Sequence, residues 1–169
     1  MVSQSARRGY DNGWFSFSDF EDINDIKKIK LLLSASAQKC YQNNWVNFQE
    51  LKNTSIENLE IYLSDHAFIG YRNGYFQYGN LKLVFDLETK RVLISPGALK
   101  GYRNCYFTFW DLSKILDPAK LERLISVTAL KIYESGVKFN KLKHLGEQKL
   151  LAKFDCFETE RLEEFVSFF

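Results

Sequence analysis

In the stretch "LDPAKLERLISVTALKIYESG", residues 116–136, the apolar residues Leu121, Leu124, Ile125 and Ala129 fall at the spacing of one helix face. Asp117 precedes them as an N-cap and Pro118 takes the first helical position. Ser135-Gly136 ends the pattern, where glycine can adopt a left-handed cap. The pattern predicts one helix from Pro118 to near Ser135. An earlier stretch agrees: Asp22 can cap, and Ile26, Ile29, Leu33 and Ala37 then share a face. The small alanine near the end of each such helix implies close helix packing. Upstream lies Phe-x-Phe-x-Asp-Leu (Phe107 to Leu112), which reads as a turn leading into a shorter helix. One stretch behaves differently. "LKLVFDLETKRVLIS" alternates, and by itself reads as a β-hairpin with strands at Leu81–Asp86 and Arg91–Ser95. Pro96 also sits awkwardly in a helix.

The pattern is periodic. "GYRNGYFQYGNL" (Gly70–Leu81) and "GYRNCYFTFWDL" (Gly101–Leu112) agree at seven of twelve positions. Related stretches begin at residues 9, 40 and 132, so copies recur every 30 or 31 residues. Tyr holds the second place in all five (Tyr10, Tyr41, Tyr71, Tyr102, Tyr133). The fourth place is Asn12, Asn43, Asn73, Asn104 and Ser135. A Ser-x-x-Ala motif keeps the same register at Ser3, Ser34, Ser64, Ser95 and Ser126. A turn, a short helix and a longer helix cannot bury an apolar face alone, so neighbouring copies must stack. The fold expected is therefore all-α, a solenoid of helix-turn-helix units forming one domain over residues 1–169. The alternative is a single α+β domain with a hairpin near 81–95.

The array resembles a degenerate set of ankyrin repeats. The segment "ETKRVLISPGA" (Glu88–Ala98) is similar to that family's second helix, Glu-x-x-x-Leu-Leu-Leu-x-x-Gly-Ala. Asn12-Gly13 and Asn73-Gly74 stand where the family has Asp-Gly, and Phe17 and Phe109 near its buried first-helix leucine. The Thr-Pro-Leu-His signature is absent from every copy, and the unit is about two residues shorter. The resemblance implies a turn and two antiparallel helices per copy.

Composition narrows the function. Of 169 residues, 46% are hydrophobic and 16% aromatic, with 26% charged, which describes a folded chain with a ring-rich core. The net charge of +2 gives no general attraction for polyanions. Three scattered cysteines without a Cys-x-x-Cys motif point to reduced thiols and an intracellular, cytoplasmic protein. The opening "MVSQSARRGY" has no signal-peptide character, and no apolar run approaches a membrane span.

Residues constant in every copy read as scaffold, so function is sought where copies differ. The third place is Asp11, Gln42, Arg72, Arg103 and Glu134; the eighth is Ser16, Asn47, Gln77, Thr108 and Lys138. Varied polar groups on a constant frame suit a partner-binding face. Trp110 adds a large ring, and Tyr, Trp and Arg dominate interface hot spots. The candidate contact residues are Arg72, Gln77, Tyr102, Arg103, Tyr106, Thr108 and Trp110. They predict a non-enzymatic protein-interaction module, an inhibitor or adaptor for a protein partner. The second reading is a helical repeat binding single-stranded nucleic acid through Arg72, Arg103 and the flanking tyrosines. The acidic Asp11 and Glu134 at equivalent places oppose it.

No phosphate-binding, nucleophile-elbow or zinc-protease motif occurs. His66 and His144 have no ligand-spaced partners, so no catalytic residue, metal or cofactor is expected. The acidic run "ETERLEEF" reads as the solvated face of a final helix. The start, "VSQSARRGYDNG", matches the end of a unit, Val2 standing with Ile125 and Ala6 with Ala129. It predicts a helical turn over residues 2–8. The apolar surface beside it, with Trp14, is then a site for end-to-end self-association.

Overall fold

The computed structural model describes residues 4–159. Among these every regular element is helical, and the stretch 81–95 contains no strand. The hairpin alternative is thus overturned. Leu81 lies within a helix, Tyr78–Lys82, and is fully buried, whereas Leu83 and Phe85 are 65% and 93% exposed. The alternation of the sequence never forms one buried face. Val2, Ser3 and most of the run Glu158–Phe165 lie outside the described residues.

The chain divides into two compact units, residues 1–87 and 88–169. The first holds α1 (Gln4–Asp11), a 3₁₀ turn (Phe17–Phe20), α2 (Ile26–Leu32), α3 (Ala35–Gln42), α4 (Phe48–Lys52), α5 (Ile56–Tyr62), α6 (Asp65–Arg72) and α7 (Tyr78–Lys82). Helix α8 (Leu87–Leu93) opens at the boundary. The second unit continues with α9 (Pro96–Arg103), α10 (Phe109–Ser113), α11 (Pro118–Leu124), α12 (Val127–Glu134), α13 (Phe139–Lys143) and α14 (Glu147–Glu158). In the first unit α2 packs against α3, α4 and α5, α1 against α3, and α5 against α6. In the second, α11 packs against α12 and α13, and α12 against α9 and α14.

The long helix expected over 118–135 is two helices. Ile125 caps α11, and Ser126 turns extended (φ −64°, ψ 164°) before α12 begins. Four serines of the Ser-x-x-Ala series, Ser34, Ser64, Ser95 and Ser126, are N-caps. The N–H groups of Ala37, Ala67, Ala98 and Ala129 donate to the hydroxyls of Ser34, Ser64, Ser95 and Ser126 at 3.1–3.4 Å. A satisfied N-cap replaces the helical hydrogen bonds lost at the break. The alanines, all fully buried, therefore begin a third helix rather than finish the second. Pro96 fits the same device as the first residue of α9, where a missing N–H costs nothing. Asp25, not Asp22, caps α2, accepting from the N–H groups of Lys27 and Lys28. Asp22 instead pairs with Lys52 at 2.7 Å.

A buried tyrosine ties the third helix to the second. The hydroxyls of Tyr41, Tyr71 and Tyr133 donate to the carbonyls of Leu32, Tyr62 and Leu124 at 3.1, 3.4 and 2.8 Å. Each carbonyl ends its helix and would otherwise lack an intrahelical partner. Burial pushes all three phenols well above the ordinary tyrosine range. They stay neutral, as the hydrogen bond requires.

Turn chemistry explains the first and fifth places of the motif. A Cβ on Gly101 would lie 2.0 Å from the ring of Phe107, and one on Gly70 2.4 Å from that of Phe76. The ring rests on bare helix backbone. The fifth place is left-handed throughout: Gly13, Asn44, Gly74, Cys105 and Gly136 have φ between 54° and 100°. Asn44 and Cys105 bear the steric cost of a Cβ there.

Candidate functional site

The motif positions converge on the turns that join each third helix to the next short one. At the third place Asp11, Gln42, Arg72, Arg103 and Glu134 each end a helix, and all five are exposed. At the eighth place Asn47 and Thr108 are side-chain N-caps, accepting from the N–H groups of Glu50 and Asp111. Glu50 and Asp111 return the bond, accepting from the N–H groups of Asn47 (3.1 Å) and Thr108 (2.8 Å). Asp19 and Asn80 do the same for Ser16 and Gln77. Gln77 and Thr108 are thus exposed, and their main-chain atoms also help hold a helix start.

The remaining candidates fall as follows. Arg72 and Gln77 belong to the first compact unit; Tyr102, Arg103, Tyr106, Thr108 and Trp110 belong to the second. Arg103 is exposed, Tyr102 and Tyr106 are half-buried, and Trp110 is 49% exposed with its ring edge-on to Phe109. Tyr106 packs on Tyr133, ring centroids 5.5 Å apart.

Clefts open beside these turns, lined by aromatic residues and by the capping acids Glu50 and Asp111. Two lie in the first unit. One, about 400 Å³, lies among Trp14, Tyr41, Trp45, Phe48 and Glu50. The other, about 430 Å³, lies among Trp45, Tyr71, Phe76, Tyr78 and the same Glu50. Trp14 leans on Tyr41 at 5.7 Å and Trp45 on Tyr71 at 5.5 Å between centroids. The second unit has a cleft of about 360 Å³ among Tyr106, Asp111, Tyr133, Lys138 and Phe139. Burial alone would raise the Asp111 carboxyl. The Thr108 hydroxyl and N–H, with the Lys143 and Lys114 charges, outweigh that and hold it below its ordinary value.

Sequence reasoning singled out Tyr106, and Trp14 only as part of the N-terminal apolar surface, but not Trp45, Glu50 or Asp111. The available signal was the capping-box pattern, Asn47-x-x-Glu50 and Thr108-x-x-Asp111. It marks the acids that line the clefts. His66 and His144 are both exposed. Among the described residues no three His, Cys, Asp or Glu side chains gather in a way that could hold a metal ion, and no helix is long and apolar enough to cross a membrane. No protein family, curated protein or solved structure matches the chain.

Proposed function

We propose that the chain is a degenerate ankyrin-like helical solenoid acting as a non-enzymatic binding module for another protein, as an inhibitor or adaptor inside the cell. The observation that carries this reading is the third motif place. Its five side chains differ in charge and size yet all stand exposed at helix ends, beside tyrosines of which three are buried and hydrogen-bonded. A constant frame with a variable exposed line is the arrangement by which repeat scaffolds select partners. Arg103 and the half-exposed Trp110 supply the side-chain types that anchor interfaces.

The test is capture from the native host, identification of the retained protein, and titration of that purified protein against variants. Arg103→Ala and Trp110→Ala each weaken it by about 1–2 kcal/mol or more with unchanged melting. If both leave affinity intact, the face is wrongly assigned. If the retained ligand is nucleic acid and binding collapses with salt, the protein-binding reading fails. Self-association through the N-terminal end is part of the proposal. Tyr10 and Phe17 stack there at 4.9 Å and are 52% and 49% exposed. Sedimentation of Tyr10→Ser against the parent chain reads it.

A further inference from the structure

The two clefts of the first unit share Trp45 and Glu50, and no lysine, arginine or histidine lines either. Their walls are largely aromatic rings, whose faces carry negative electrostatic potential. The Tyr41 and Tyr71 phenols are kept neutral by burial, so they add ring surface and no charge. Glu50 is exposed. Its Oε2 accepts from Asn47 N–H, and Oε1 makes no hydrogen bond or ion pair among the described residues. Lys52, at the end of the same helix, is held by Asp22. A carboxylate oxygen among aromatic faces attracts a cation and repels an anion.

The second unit shows this chemistry satisfied from within. Its cleft has the same plan: Tyr106 answers to Trp45, Tyr133 to Tyr71, Phe139 to Tyr78 and Asp111 to Glu50. There the chain supplies its own cations. Lys138 lines the cleft, and the Lys143 ammonium sits 5.9 Å from the centre of the Phe139 ring, close enough for its charge to act on Asp111.

We propose that the two clefts around Trp45 and Glu50 receive the cationic side chains of an arginine- or lysine-bearing segment of the protein partner, an assignment that rests on the binding-module reading above. Charge complementarity selects this occupant. An acidic or phosphorylated segment would meet Glu50 and the negative faces of the rings.

The probe is a short alternating glycine–arginine peptide, titrated calorimetrically into the full chain beside its glycine–citrulline and glycine–glutamate counterparts. The arginine peptide binds about tenfold or more tightly than either. Glu50→Gln weakens it about fivefold or more, because glutamine keeps the capping bond while removing the charge. Trp45→Ala weakens it at least as much. Glu57→Gln, an exposed acid outside both clefts, leaves it unchanged. Should Trp45→Ala fail to fold, Glu50→Gln carries the test. Equal binding of the arginine and citrulline peptides, no binding of either, or an unaltered Glu50→Gln overturns the assignment. The two readings fail separately. A partner lost on Arg103→Ala but indifferent to Glu50→Gln removes the clefts and keeps the module. Arginine-peptide binding that needs Glu50, with no protein partner found, does the reverse.

Discussion

Residues 101–107 and 132–137 occupy the same place in the motif and fill it differently. In the first, Gly101 leaves its helix bare and Phe107 lays a ring on it, so that a Cβ would fall 2.0 Å from that ring. In the second, a fully buried isoleucine, Ile132, replaces the glycine and the turn is one residue shorter. The hydrogen bonding identifies what was lost. Val137 N–H donates to Ile132 O as Tyr106 N–H donates to Gly101 O, so the missing residue is the one that answers to Phe107. Residues 40–46 show an intermediate, Cys40 with Val46, both buried. Volume moves from one side of the gap to the other while the gap stays filled. Close packing makes the two places a single quantity.

The sharpest way to break that comparison is Gly101→Ile. With Phe107 retained, it overpacks the gap and costs about 3 kcal/mol or more in denaturant unfolding. Phe107→Val alone leaves a cavity and costs about 1–3 kcal/mol. The double variant recovers much of the loss, with a coupling of about 1–3 kcal/mol across the cycle. Additive losses would show the two sites independent and the comparison mistaken.

A smaller effect tests a place where the two regions agree. Tyr133→Phe keeps the ring against Tyr106 and Phe139 but removes the 2.8 Å bond to Leu124 O. Leaving that buried carbonyl short of a donor costs about 1–2 kcal/mol by the same measurement. A neutral result would make the tyrosine a packing residue only.

The smallest effect is a gain. Cys105 holds φ 58° where three other copies have glycine. Cys105→Gly relieves the left-handed strain and stabilises by up to about 1 kcal/mol, read as a higher unfolding midpoint. The same residue is the exposed thiol of the three cysteines. Native labelling therefore modifies Cys105 first, while burial holds Cys40 back and pushes its thiol up to about 12.

Period, turn and helical class were legible in the sequence because each depends on residues close together in the chain. The break before Ser126 was not, although its signal was present. Leu121, Leu124, Ile125 and Ala129 satisfy helical spacing whether or not the backbone stays helical between them. Only the serine, whose hydroxyl can replace a backbone acceptor, distinguishes the cases. Pro96 was the clearest marker, since proline directly after Ser95 belongs at a helix start. The hairpin reading of 81–95 failed because alternation predicts a shared buried face, and exposed Leu83 and Phe85 share none with Leu81. The clefts were illegible for another reason. Trp14 meets Tyr41, and Trp45 meets Tyr71, across about one period of chain, and spacing alone does not say which rings touch.

Helices of five, seven and eight residues, such as α10, α11 and α12, are too short to persist in water on their own. Their caps set where they begin, but only packing keeps them formed. Once packing is lost, little helical signal should survive in the denatured ensemble. Far-ultraviolet ellipticity, ordinarily a measure of local conformation, thus becomes in this molecule a direct reporter of whether the core is assembled.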